Sequence, residues 1–125
     1  MSERKISAPL SNPESDPFYA AAKAGKFMIR RCTTCHKPHW YPRALCPFCF
    51  GLTAWEEASG NGTIYSYSPM RRAGYVIAYV KLSEGPTMMT NLVDCDPDKL
   101  HIGQAVTLKW TPTEDGPPVP TFTPV

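Results

Sequence analysis

The cysteines constrain this chain more than any other feature. Cys32 and Cys35 form one C-x2-C pair and Cys46 and Cys49 a second, with ten residues between the pairs. Two intervening residues let a tight turn aim both sulfurs of a pair at one point. Four such thiolates complete a tetrahedral zinc shell with Zn–S distances of about 2.3 Å. Ten residues are enough for a short hairpin that lays the second knuckle over the first, and Pro47 suits the turn inside that knuckle because its φ is fixed. The spacing therefore predicts a structural zinc ribbon with Cys32, Cys35, Cys46 and Cys49 as ligands. Two disulfides are the competing chemistry.

At 125 residues the chain is one domain, or two very small modules sharing a core. A metal helps the N-terminal part, which cannot bury enough apolar surface by itself. A hydrophobic content of 42% with 19% charged residues fits a soluble globular chain. The 14 prolines argue against long helices and for a β-rich body. A net charge of +2 is too small for nucleic-acid binding by bulk electrostatics. No apolar run approaches the ~18 residues that span a bilayer, and the polar N-terminus lacks an apolar signal core. The expected location is the cytoplasm, where paired C-x2-C motifs favour metal over disulfide. Cys95, the fifth cysteine, reads as a small core residue, since no histidine points to it as a base partner.

Residues 1–14 read as an extended polar arm. Ser15 or Asp16 suits a helix cap, Pro17 the first turn and Gly25 the stop, with Phe18, Ala21 and Ala22 on one apolar face. Phe27 and Ile29 alternate with Met28 and Arg30 in a short strand that leads into the first knuckle. Trp40 and Tyr41, in the stretch between the knuckles, either cover the metal site or form a recognition surface. Four cysteines close the shell, so His36 and His39 are expected as non-ligands. Further strands are expected over residues 55–59, 63–68, 75–82, 87–93 and 105–110, with a bend at Gly60-Asn61-Gly62 and a last edge strand over 119–123. Short strands with glycine-marked bends fit a five-stranded Greek-key barrel of the OB type, with a sandwich as the alternative. The expected division is an arm, helix and ribbon over 1–53 and a barrel with a proline-rich tail over 54–125.

The order of parts is distinctive: a helix with Phe18-Tyr19, Arg31-Cys32-x-x-Cys35, Tyr41-Pro42-Arg43, Cys46-Pro47-x-Cys49, Trp55, then Ser59-Gly60-x-Gly62-Thr63-Ile64-Tyr65-Ser66 and Leu100-x-Ile102-Gly103-x-x-Val106. This resembles the DUF35, or acyl-CoA-associated OB-fold, proteins, with an N-terminal helix, a rubredoxin-like zinc ribbon and a C-terminal OB-fold. One departure is Phe50 before Gly51, where a glycine often follows the last cysteine directly. The resemblance implies a small, non-catalytic partner subunit of a thiolase-like acyltransferase, thiolase or aldolase acting on acyl-CoA, or of a MaoC-like enoyl-CoA hydratase. The partner would carry the chemistry, and this chain would shape the complex and help hold the CoA thioester. Arg43, inside the matched Tyr-Pro-Arg motif, and Arg71-Arg72 are the candidates for CoA phosphate, because guanidinium forks suit phosphate.

Nothing in the sequence supplies a catalytic set of its own. None of His36, His39 and His101 sits in a nucleophile elbow or a metalloprotease helix motif, and a closed four-cysteine shell leaves a zinc no open position. The alternative function is a single-stranded nucleic-acid-binding OB protein, with Tyr65, Tyr67, Tyr75 and Tyr79 as a stacking platform. Balanced charge argues against it. Tyr75 and Tyr79 also share one face of their strand, which could be the core face.

Overall fold

The computed structural model describes residues 6–125, so the expected N-terminal arm lies partly outside the described residues. Helix α1 runs Asp16–Lys23 with Pro17 in its first turn. Ser15 flanks it but makes no side-chain cap. Instead the Asp16 carboxylate accepts from the Asn12 backbone N–H at 3.0 Å and from the Ser11 hydroxyl. The helix stops at Gly25, whose φ of +78° closes a two-bond C-terminal motif: Gly25 N–H to Ala22 O at 2.9 Å and Lys26 N–H to Ala21 O at 3.0 Å.

β1 (Met28–Cys32), β2 (Pro38–His39) and β3 (Thr53–Glu57) form an antiparallel sheet in the order β2-β1-β3. This corrects the expectation for residues 55–59. That strand does not open the barrel. It pairs back onto the ribbon, with Arg30 opposite Trp55 and Ile29 opposite Glu56. Pairing to β1 also lets Arg30 donate to the Thr53 hydroxyl at 2.6 Å and to the Thr53 carbonyl at 2.7 Å, with its guanidinium over the Trp55 ring.

β4 (Asn61–Met70), β5 (Tyr75–Leu82), β6 (Thr87–Leu92), β7 (Ala105–Thr113) and β8 (Gly116–Pro124) close into a barrel in the order β4-β5-β6-β8-β7. The protein is thus mainly β, with a short helix, a ribbon and a five-stranded OB-type barrel. The bend expected at Gly60-Asn61-Gly62 falls at Gly60, whose φ is +82°, between β3 and β4, and a further register shift between β4 and β5 lies between Ile64 and Ser66. Gly62 lies within β4, and glycine is required there because a Cβ would meet the Lys81 carbonyl oxygen at 2.6 Å. A 3-10 turn at Pro97–Lys99 fills the link before β7.

The expected edge strand near residue 119 is longer and is not an edge. β8 sits between β7 and β6, antiparallel to the first and parallel to the second. Its prolines cannot donate to a second neighbour, so pairing with β6 is sparse. Leu92 lies opposite Phe122, the Val93 N–H reaches the Phe122 carbonyl at 2.9 Å, and the Thr90 hydroxyl donates to the Pro120 carbonyl at 2.9 Å. A side chain does part of what a strand amide does elsewhere.

One core joins the two halves. Val76, Ala78, Val80, Leu82, Met88, Leu92, Val106 and Phe122 fill the barrel, and Phe18, Phe27 and Ile29 extend the same cluster into the helix and ribbon. The seam is aromatic. Phe18 meets Trp40 edge-on at 5.0 Å and Phe27 at 6.0 Å, while Phe27 meets Trp110 and Phe122, both at 6.2 Å. Such pairs each add about 0.5–1.5 kcal/mol beyond burial. Among the described residues, no helix is long and apolar enough to cross a membrane.

Candidate functional site: a four-thiol centre and the groove beside it

β1 ends at Cys32, and the chain turns at once through Cys35; a hairpin over residues 45–52 carries Cys46 and Cys49 back onto it. The four Sγ atoms lie within 4.8 Å of one another. Cys32 and Cys49 are 3.5 Å apart and Cys35 and Cys46 are 3.7 Å apart. A tetrahedron of sulfurs at about 2.3 Å from zinc has edges of about 3.8 Å, so the spacing fits that ion. Backbone amides turn inward as well. Thr34 and Cys35 N–H point at Cys32 Sγ and Phe48 N–H at Cys46 Sγ, each at 3.3 Å.

These amides matter electrostatically. The Cys35 N–H, followed by that of Thr34, lowers the Cys32 thiol to about 6. Cys35 moves the other way. The Lys37 amide draws it down, but burial and the neighbouring sulfurs outweigh that and push it up to about 11. Four thiols held this close cannot all ionise without a cation among them. The donor set therefore could hold zinc, and a zinc held by four sulfurs would serve the fold.

The two knuckles share a backbone device. The residue after each second cysteine is left-handed, His36 with φ 62° and Phe50 with φ 63°. Histidine tolerates that conformation better than a bulky aromatic does, and Phe50 carries about 1–2 kcal/mol of strain there. Gly51 explains the displaced glycine: a Cβ at that position would lie 2.9 Å from Thr34 Oγ1 and 3.1 Å from Cys32 Sγ. Glycine stands where space is lacking, and Phe50 takes the unusual φ.

His39 does not join the sulfurs. It is buried opposite Arg30, and neither ring nitrogen has a hydrogen-bond partner. Burial, then the charges of Arg30 and Arg43, which oppose a nearby Arg43 backbone interaction, lower its pKa. Cys95 is half-buried, and burial raises its thiol.

Beyond the ribbon sheet, the loop carrying Trp40, Tyr41 and Arg43 overhangs the β5–β6–β8 face of the barrel and encloses a groove of about 740 Å³. Tyr19, Tyr41, Tyr75, Tyr79 and Met89 supply much of its wall, and among the described residues Arg43 is the one charged residue lining it. The loop is pinned from two sides. Thr53 Oγ1 donates to the Arg43 carbonyl at 2.7 Å, and the Ala44 N–H donates to the Glu14 carboxylate at 2.6 Å. Of the arginine candidates, only Arg43 lines the groove. Arg71 and Arg72 lie in the exposed β4–β5 turn, where Arg71 pairs with Asp98 at 2.8 Å.

Tyr75 and Tyr79 share a face as expected, but it is the outer one; Val76, Ala78, Val80 and Leu82 take the core. Tyr67 leaves the proposed stacking platform, since its hydroxyl donates to the Leu100 carbonyl at 2.8 Å and its ring packs on the core. Tyr19, Met89, Glu14 and Thr53 were not legible as site residues. Tyr19 alone carried a signal, as an aromatic beside Phe18 on the first turn of the helix.

A ribbon of four thiols fused to a closed OB barrel defines the class, and comparison with known proteins names the family. The pattern of the ChsH2 rubredoxin-like zinc ribbon domain matches residues 20–56, and that of the ChsH2 C-terminal OB-fold domain matches residues 55–111. The chain belongs to the DUF35 family. It is 36% identical over 93% of its length to a probable enoyl-CoA hydratase alpha subunit of Thermomonospora curvata, covering 39% of that protein. It is 36% identical to a DUF35 domain-containing scaffold protein of Methanocaldococcus jannaschii, over 61% of each chain. The chain thus spans less than two thirds of the length of these relatives. Among solved structures, a chain of the Ltp2–ChsH2(DUF35) aldolase superposes with a TM-score of 0.79 at 35% identity, covering 93% of this chain and 98% of that one. A DUF35 protein of unknown function from Sulfolobus solfataricus shares the fold at 13% identity, with a TM-score of 0.68 over 92% of this chain and 87% of that one.

Proposed function

We propose that this chain is a non-catalytic accessory subunit of an acyl-CoA-processing complex, assembled on a thiolase-like, aldolase or hydratase subunit that carries the chemistry. The observation that carries the reading is its likeness, along almost the full length of the neighbour, to a chain of the Ltp2–ChsH2(DUF35) aldolase. The hydratase name of a relative keeps that partner class in view. In this reading Cys32, Cys35, Cys46 and Cys49 hold a structural zinc that fixes the ribbon. The ribbon then holds the Trp40–Tyr41–Arg43 loop over the barrel. The groove beneath it takes part of a CoA thioester, with Arg43 meeting a phosphate and the tyrosines and Met89 packing on the apolar arm. Arg71 and Arg72 stand outside that groove, and Arg43 is the candidate the geometry favours.

The test is reconstitution. Freshly purified, reduced protein carries about one zinc per chain by metal analysis. Alone, it shows no turnover of acyl-CoA esters. Purification from its native host brings with it an acyl-CoA enzyme whose activity depends on this chain, and Arg43→Ala raises the KM for acyl-CoA in that complex. Robust turnover by the isolated chain, or a complex whose KM ignores Arg43, defeats the corresponding part of the reading.

A further inference from the structure

The second knuckle exposes what soluble surfaces usually hide. Leu45, Phe48, Phe50 and Leu52 are 51%, 59%, 78% and 70% exposed, all on one hairpin closed by a Leu45–Leu52 bridge and a Cys46 N–H to Gly51 O bond. Scattered apolar residues need no explanation, but four on one short hairpin form a patch. The φ of 63° at Phe50 sharpens the point: a bulky side chain is kept, almost fully in solvent, at a position where glycine would relax the backbone. Folding gains little from Phe50, so its use lies outside the chain.

Charge narrows what fits. Residues 17–55 contain six lysines and arginines and no aspartate or glutamate, whereas the rest of the chain carries seven cations and eleven acids. A divalent ion with four thiolates would add a formal charge of about −2, which leaves the segment cationic. Several of its cations are engaged elsewhere. Arg31 pairs with Glu56, Arg30 is held by Thr53 and Trp55, and Arg43 lines the groove. Lys37 sits on the patch itself, its ammonium 5.1 Å from the Phe48 ring centre.

We propose that the hairpin over residues 45–52, with Lys37, is the docking surface for the catalytic partner subunit, and that the partner presents an apolar hollow with an acidic rim. This rests on the accessory-subunit reading and specifies its interface. Large apolar groups at the centre and a cation at the rim match the usual division between affinity and steering. A second copy of this chain fits less well. Its acids, apart from Glu56, which is paired with Arg31, and its neighbour Glu57, lie outside the ribbon, so ribbon would meet barrel head to tail, a contact that propagates rather than closes.

The test uses the full chain and the enzyme that co-purifies with it, both produced recombinantly. Phe48→Ser combined with Phe50→Gly weakens the complex by about tenfold or more while zinc content and melting temperature are kept. Wild-type affinity falls between about 50 mM and 500 mM salt, and Lys37→Gln flattens that dependence. Unchanged affinity in the double variant overturns the docking assignment and leaves the accessory reading standing. Absence of any acyl-CoA enzyme partner overturns both. Self-association, or binding of labelled single-stranded oligonucleotide at low salt, that the double variant abolishes also overturns it, by assigning the patch to another occupant.

Discussion

The barrel and the ribbon sheet are both small β structures, yet different forces hold them. β5 alone sends Val76, Ala78, Val80 and Leu82 into a closed core, each almost wholly removed from water. In the ribbon sheet, Ile29 and Cys32 are the apolar side chains buried to that degree. Each buried aliphatic side chain is worth about 1.5–3 kcal/mol, so the barrel can pay for its own order and the ribbon cannot. The ribbon relies on its thiol centre and on the aromatic seam through Phe18, Phe27 and Trp40. The lesson is that a loop such as Trp40–Arg43 can be held in place by a thiol centre at one end of its module and by a neighbouring core, on which Trp40 packs, at the other.

The strongest way to break this comparison is to strip the thiol centre of the zinc it is proposed to hold. Structural zinc in small modules contributes about 10–16 kcal/mol of apparent binding energy, nearly all of it folding energy. Chelation, or Cys46→Ser, abolishes hydrogen-exchange protection in residues 28–57 and leaves the amides of β5 protected. Loss of protection in both regions together would show that the barrel depends on the ribbon as much as the reverse.

The seam comes next. Phe18→Ala empties a fully buried site touched by Tyr19, Phe27, Trp40 and Trp110, and costs about 3–5 kcal/mol in denaturant unfolding. A loss below about 1 kcal/mol would mean that the helix is a passenger on the barrel.

His39 gives a smaller, pH-dependent effect. Its folded pKa is lowered, chiefly by burial, so below the unfolded value of about 6.5 the unfolded chain binds more protons than the folded one. Its contribution to stability is therefore complete above that pH and is lost as pH falls through it. The wild type should show a steeper fall in unfolding free energy between about pH 7 and pH 5.5 than His39→Phe, with both zinc-loaded. Parallel curves would contradict the buried neutral ring.

The smallest effect is at Glu56. Its pair with Arg31 is 2.8 Å long but about a third exposed on both sides, so Glu56→Gln costs about 0–1 kcal/mol, less at high salt. A larger loss would place more of the ribbon's stability in its sheet than in its sulfurs.

The sequence by itself determined the thiol centre, because ligand spacing is local: a C-x2-C knuckle closes within four residues whatever surrounds it. It also determined the strand at Tyr75–Leu82 and the helix stop at Gly25, where periodicity and a left-handed φ leave their mark on neighbouring residues. It did not determine which side of β5 faces in. Tyr75, Ile77 and Tyr79 carry at least as much apolar surface as Val76, Ala78 and Val80, and barrel closure, with its limited interior volume, sends the smaller set inward. Nor did it determine that β3 pairs with β1, or that a proline-rich segment would sit between two strands as β8. Those are choices among distant partners, and the deciding interactions, Arg30 with Thr53 and the Thr90 hydroxyl with Pro120, span 23 and 30 residues. The groove at Arg43 belongs to the same group: it exists because a zinc-ribbon loop and an outer barrel face are pressed together by a core that neither one announces.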